Sequence, residues 1–255
     1  MKKLLPLFLL SGTAMAVPLM ELDLSVGIMQ QKPSGYLQYR GDKLDVKNTL
    51  GLGDETKPFA RLKFEHPVPL IPNLYGRYIP TEFTGNKTIT SPIRYGDTVF
   101  TGNIQTTVKL DKYDLGVYYN VPFVGLATAG LLDPEVGINL RYIDFEGKVT
   151  GDSGGQRVTK SKSASLAVPM LYAGLAVNLP IKVSLVGEAR VIGYQSNVYY
   201  DWNGEIRLKP VGIPLIGHFY LGAGYREEKL KLDDISDIYS DIKVKGLYGV
   251  VGVNF

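Results

Sequence analysis

Ser153 sits in Gly151-Asp152-Ser153-Gly154-Gly155, which matches a serine-protease nucleophile motif. Such a Ser works only beside a His that takes its proton and an Asp that orients that His. The one His upstream is His66, in Phe64-Glu65-His66-Pro67, and its surroundings do not continue the pattern. A Gly-rich polar hairpin tip is the better reading of residues 151–155. Arg40-Gly41-Asp42 matches an integrin-binding tripeptide, but Gly-Asp equally suits a turn. Asp233, Asp234, Asp237 and Asp241 offer hard oxygen ligands of the kind calcium takes, without the EF-hand spacing. A solvated loop fits them better. With no Cys in the chain, a disulfide framework or a thiolate metal site is ruled out. No metal and no cofactor is expected.

A larger constellation is the set of charges that recur on one face of alternating segments. Its acids are Glu21, Asp23, Glu65, Asp114, Glu188, Asp201 and Glu205. Its bases are Arg61, Lys63, Arg77, Arg141, Lys182, Arg190, Arg207, Lys209 and Arg226. The two signs nearly cancel. Charges enclosed by a fold must pair or stay hydrated. They therefore predict either an internal salt-bridge network or a narrow path lined by mixed charge.

The elements that must carry these residues are β-strands. Alternation of period two marks each candidate. Val183, Leu185, Ala189 and Val191 oppose Lys182, Ser184, Glu188 and Arg190. Ala60, Leu62 and Phe64 oppose Arg61, Lys63 and Glu65. Ten such segments are read, near 20–30, 58–66, 73–85, 104–120, 135–149, 160–178, 181–197, 199–209, 218–232 and 239–255. The third is the least regular. Eight strands is the alternative, with residues 31–57 or 73–103 the places where the count would err.

A weak internal repeat punctuates the set. Val68-Pro69-Leu70-Ile71-Pro72, Val121-Pro122-Phe123-Val124-Gly125 and Ile213-Pro214-Leu215-Ile216-Gly217 share one pattern, and Leu179-Pro180-Ile181 is a truncated fourth copy. Pro cannot donate to a strand ladder, so all four read as turns. Four turns on one side make five hairpins, or ten strands, with both termini on that side. Their apolar character suits a cap over the mouth or contact with a lipid leaflet. The other side carries the connections 31–57, 86–103, 150–159, 195–198 and 233–238, with a small hairpin near Tyr36–Asp42 and a helical turn within 46–54.

Both ends of the chain bear on its location. Met1-Lys2-Lys3, the apolar run Leu4–Leu10 and Ala14-Met15-Ala16 form the pattern of a signal peptide, with cleavage expected after Ala16. The run is far short of the ~20 residues a membrane helix needs. With no Cys, lipid attachment at the amino-terminus is not expected. The expected domains are a signal peptide, 1–16, and one domain, 17–255. Loss of Lys2 and Lys3 lowers the formal charge of +3 to +1, too balanced for a nucleic-acid partner.

At the other end, Leu247, Val251, Val253 and Phe255 share a face opposite Tyr248, Gly252 and Asn254, with Val250 an apolar residue among the polar ones. This segment resembles the closing strand of bacterial outer-membrane β-barrels. Phe64-Glu65-His66-Pro67 followed by Ile71-Pro72-Asn73, with Gly222-Ala223-Gly224-Tyr225-Arg226, is similar to an uncharacterised family of small outer-membrane barrels, over nearly all of 17–255. The resemblance implies an all-β fold: a closed antiparallel transmembrane β-barrel, apolar outside and polar inside. It implies residence in the bacterial outer membrane of a Gram-negative envelope, and outer-membrane lipid, lipopolysaccharide and the export and barrel-assembly machineries as partners. Tyr248 and Phe255 would belong to the assembly signal. The 17 Tyr residues suit the aromatic girdles of such barrels.

That family brings no activity. Barrel hydrolases use a His at the outer rim, whereas His66 and His218 fall at the opposite, periplasmic ends here. An enzyme is not expected. Ten strands enclose little free space, since wide aqueous channels need ~16 or more. Two functions remain in view: a side-chain-filled barrel with a structural or surface-interaction role, and a narrow porin-like channel. Gly116, Gly222 and Gly252 would widen such a channel locally or merely relieve crowding.

Overall fold

The computed structural model describes residues 20–68, 70–213, 217–235 and 237–255. The expected signal peptide lies outside the described residues. The chain is built almost wholly of antiparallel strands: β1 (Glu21–Tyr39), β2 (Leu44–Asp45), β3 (Glu55–Glu65), β4 (Asn73–Ile79), β5 (Glu82–Tyr95) and β6 (Thr98–Asn120). A single turn of helix, α1 (Val124–Ala127), precedes β7 (Leu132–Ser153), β8 (Gln156–Leu179), β9 (Val183–Tyr194), β10 (Asn197–Ile213), β11 (Gly217–Ile235) and β12 (Ile238–Asn254).

Ten of these strands form a closed ring. Its order is β1, β3, β4, β6, β7, β8, β9, β10, β11, β12, and β12 pairs back onto β1. The short β2 folds against β1. β5 continues the line of β4 after a break at Pro80 and Thr81 and pairs with β6, which accounts for the irregular third segment. The break is bonded: Leu110 N–H donates to the Thr81 carbonyl at 2.7 Å, and the Gln31 amide to that of Pro80 at 2.9 Å. Closure leaves no free end edge, the liability of an open sheet. At the seam, Leu22 and Phe255 exchange backbone hydrogen bonds of 3.1 and 3.0 Å.

The turns at Pro122 and Pro180 lie at the basal end, where β1 begins and β12 ends, whereas Pro69 and residues 214–216 of the other two repeats lie outside the described residues. Leu70, Phe123, Leu126 and Ile181 in these connections are exposed. None of these four lines the polar cavity at that end. The distal end differs from the expectation of long loops. Residues 86–103 and 150–159 are continuous hairpin, with tips of two residues at 96–97 and 154–155. β6, β7 and β8 run 23, 22 and 24 residues. A membrane crossing takes only ~9–11, so these strands project well beyond it. Within 40–54, the Asp45 carboxylate accepts from the Lys47 and Asn48 N–H groups at 2.9 and 2.6 Å and caps a turn.

The two faces of the ring are inverted relative to a soluble barrel. Leu115, Ile138, Leu171, Ile206 and Leu247 point outward and are exposed, Leu115 by 66 %. Above this belt stand Tyr78, Tyr113 and Tyr142 in a row, with centroids 4.8 and 6.3 Å apart. Trp202 and Tyr225 pair at 5.5 Å on the far side. An apolar band flanked by aromatic rings is the exterior of a barrel that faces lipid. No described helix is long and apolar enough to cross a membrane; strands would do the crossing here.

Candidate functional site

The lumen is filled in three layers, and the strand register sets each. Along the inner face, Arg77 on β4 lies beside Asp114 on β6, and Asp114 beside Arg141 on β7. This puts a row of alternating charge on one wall. A slip of one residue would turn the whole row out to lipid. From the opposite wall β10 presents Asp201. Its carboxylate accepts from Arg77, Arg141 and Arg226 together. Arg141 also binds Asp114 through Nε at 2.7 Å and Glu228 through Nη1 at 3.3 Å. Its side chain is fully enclosed.

Around this centre the other charges pair off. Arg61 meets Glu205 at 2.8 Å, and Glu205 also takes the Arg207 Nε at 2.7 Å and the Tyr248 hydroxyl at 2.9 Å. Arg207 reaches Asp23 at 3.1 Å. Lys63 bridges Glu135 and Glu188 at 2.7 and 3.2 Å. Arg190 holds Glu188 at 3.1 Å and lies between the rings of Tyr75 and Tyr172, 4.6 and 4.9 Å from their centroids. Such cation–π contacts gain strength where water is excluded. Among the described residues, two of its nitrogens, Nε and Nη1, find no acceptor, and neither Nδ2 nor Oδ1 of the buried Asn203 has a partner.

The basal layer is a polar mouth with a cavity of about 110 Å³. Glu21 accepts from Asn254 there, and Glu65 accepts from the Tyr118 hydroxyl at 2.8 Å. Glu65, Asp133 and Glu135 come within ligand reach of one another. Their oxygens already serve Tyr118, Asn120 and Lys63. The distal layer is apolar. Leu44, Val46, Leu50 and Leu52 fold in from residues 40–54 onto Phe83, Ile93, Phe100 and Ile104.

Several expectations change at this level. Lys182 lies in the exposed β8–β9 turn, not in the lumen, because the strand begins one residue later. Lys112, Glu135 and Glu228 were not singled out, yet all are buried in the lumen. Lys112 and Glu228 stand two residues from Asp114 and Arg226, so period two alone places them on the inner face. Val250 faces inward and fills the space over Gly222. The three inward glycines do not widen a path: Tyr75 covers Gly116, Val250 and Glu205 cover Gly222, and Tyr220 covers Gly252. Phe255 is partly exposed at the basal seam, and Tyr248 is buried.

The motifs outside the lumen are tied into structure. Ser153 pairs with Gln156 at the β7–β8 tip, whereas His66 precedes the basal β3–β4 turn and His218 begins β11 at the basal end. In the Arg-Gly-Asp segment, Asp42 accepts from the Arg94 N–H at 2.7 Å and Arg40 pairs with Asp237. Asp241 pairs with Lys229 at 3.0 Å. Two carboxylates of the acidic run, those of Asp237 and Asp241, are thus spent on separate bases.

No family model and no curated protein matches the chain. Among solved structures it is similar to Ail, the attachment invasion locus protein of Yersinia pestis, at 16% identity over 92% of this chain and 99% of that one, TM-score 0.38. It is similar to the outer membrane protease OmpT from Escherichia coli at 8% identity, with 92% and 96% covered and TM-score 0.45. For Neisserial surface protein A the values are 13%, 92%, 97% and 0.29. Likenesses this distant add nothing on activity, and the class rests on the closed pairing and the inverted faces. The chain is an outer-membrane-type β-barrel of ten strands, with a charge lattice across its middle and an apolar core above it.

Proposed function

We propose that this protein is a closed, non-enzymatic barrel of the bacterial outer membrane, which anchors its distal hairpins at the cell surface for interaction. The observation that carries this reading is the convergence of Arg77, Arg141 and Arg226 on Asp201 across the lumen. Paired guanidinium and carboxylate groups occupy the section through which a solute would pass. Such pairs are weak sources of net stability, because desolvation offsets much of their attraction. Their arrangement suits a plug better than it suits a means of holding the wall together.

The reading that the barrel is not an enzyme is supported by the position of both His residues at the basal end. Its surroundings would be outer-membrane lipid and lipopolysaccharide, with the export and barrel-assembly machineries as transient partners. The surplus length of β6, β7 and β8 supports surface display.

Single-channel recording on the refolded barrel in planar bilayers tests the plug, once heat-modifiable gel mobility has established folding. A folded, silent barrel is expected. Steady discrete openings would overturn the plug in favour of a narrow channel, whose ion selectivity should then follow substitutions at Arg61, Arg141, Glu188 and Arg207.

A further inference from the structure

The wall of the barrel is uneven in height. β8 pairs with β9 only from Leu171 to Leu179. β8 nevertheless runs on to Gln156, held there by β7 alone. β9 and β10 turn back at 195–196, while β11 climbs on to Ile235. A notch is left between the unpaired stretch of β8 and the upper part of β11, floored by the low β9–β10 turn. Pro169, which has no N–H to offer a neighbour, stands at its foot.

The notch opens onto the inside of the barrel. Leu166 shares the inner face of β8 with Met170 and Tyr172, and the β7–β8 register is unbroken between them. Met170 and Tyr172 are buried, whereas Leu166 is 37 % exposed. An apolar cavity of about 200 Å³ fills the notch, lined by Val168, Pro169, Ile192 and Val198 among others. A second, of about 110 Å³, lies behind it against Leu37, Leu110, Ile143 and Ile242. The two share Leu166, Leu230, Leu232 and Ile235 in their linings, so they adjoin across these side chains. Below them the Tyr199 hydroxyl is bonded to Glu228 and Arg141, which closes the route to the basal end.

The level of the opening says what it meets. Ala167 pairs with Tyr142 of the aromatic girdle, and Pro169 with Leu140 of the apolar belt. One step higher on the outer face stand Asp144 and Ser165. The foot of the notch is therefore at lipid depth, and its top at the polar boundary. Lys231, the one charged residue of the lining, stands at the notch.

We propose that the notch admits one hydrocarbon chain of an outer-leaflet lipid into the apolar chamber, while its anionic headgroup stays outside near Lys231. Together the cavities are at the small end of ligand pockets, ~300 Å³, which suits one chain and not a whole lipid. The inference rests on the proposed residence in the outer membrane for its orientation.

The test uses the refolded barrel in liposomes that contain a fatty acid with a mid-chain diazirine. After illumination, adducts are mapped by mass spectrometry. Adducts at Leu166, Leu230, Leu232 or Ile143 are expected beside those at belt residues such as Leu171 and Ile206. Ala164→Trp, which fills the chamber, should lower the chamber adducts by about tenfold or more, roughly 1.4 kcal/mol, and leave the belt adducts unchanged. Leu166→Gln alters an already exposed position, so it keeps the fold, and it should lower the adducts at Leu230, Leu232 and Ile143. Belt adducts without chamber adducts, or chamber adducts indifferent to both variants, would overturn this inference alone. Absence of belt adducts as well would overturn the membrane reading beneath it.

Discussion

Arg61 on β3 and Glu205 on β10 meet across the lumen, Nη1 to Oε2 at 2.8 Å, with both side chains almost sealed from solvent. Three strands, β1, β12 and β11, separate them on the shorter way round the ring. Two side chains thus span the barrel, and its width is matched to their combined reach.

Glu205→Gln should be costly. It removes the charge that faces Arg61 and Arg207 and leaves two enclosed guanidiniums under-compensated. Breaking one partner of a buried pair costs roughly 3–5 kcal/mol. Urea unfolding of the barrel in lipid should record the loss as a lower midpoint. The pair replaced together, Arg61→Met with Glu205→Leu, should cost less than Glu205→Gln alone. Equal or additive losses in a double-mutant cycle would count against a coupled pair.

Asp201→Ala should be the most damaging single change in the lattice, because Arg77, Arg141 and Arg226 all lose their shared acceptor. If the variant folds, the constriction it leaves carries excess positive charge. Any leak should then favour anions, which the reversal potential in a salt gradient would reveal. Cation preference would contradict this account of the lumen.

Leu115→Arg tests the outer belt. A charge on the lipid face near the bilayer midplane costs ~2–4 kcal/mol in such barrels. The same substitution at Thr88, exposed on the projecting β5, should be close to neutral. Unfolding midpoints of the two variants should differ accordingly.

Trp202 is the one Trp of the chain, and it stands on the outer face paired with Tyr225. Lipids brominated along the chain should quench its fluorescence in liposomes. Refolded protein in detergent without bromine serves as the reference. An emission spectrum indifferent to bromine would place this wall outside the bilayer.

Gly35 on β1 has a φ of +102°, and a Cβ added there would lie 1.8 Å from the Asp241 carbonyl oxygen. Only Gly adopts that backbone without penalty. Gly35→Ala should therefore strain the β1–β12 seam, slow the appearance of the heat-modifiable folded band and lower its yield. Normal folding kinetics would mean that the seam yields elsewhere.

Much of the ring was legible in the sequence. Val183–Val191 alternates, Val186 apart, because one face meets lipid and the other meets charge, and that contrast repeats at most crossings. Pro122 and Pro180 mark basal turns because a residue without an N–H interrupts a ladder. The distal strands were not legible, and residues 86–103 and 150–159 read as loops. Beyond the belt neither face meets lipid, so Thr, Asn and Lys fall on both faces and the alternation fades. Lys112, Glu135 and Glu228 were within reach of the same period-two signal that placed their neighbours.

The sequence by itself determined the faces, because side-chain direction along a strand depends only on local parity. It also determined that charges of both signs share one face. Only the tertiary structure decided that Asp201 meets three arginines, that Arg61 meets Glu205, and that β8 loses its β9 partner above Leu171. These are matters of ring closure and of the stagger between strands. Residues 144 positions apart become partners through the sum of every register between them, and no local pattern encodes that sum.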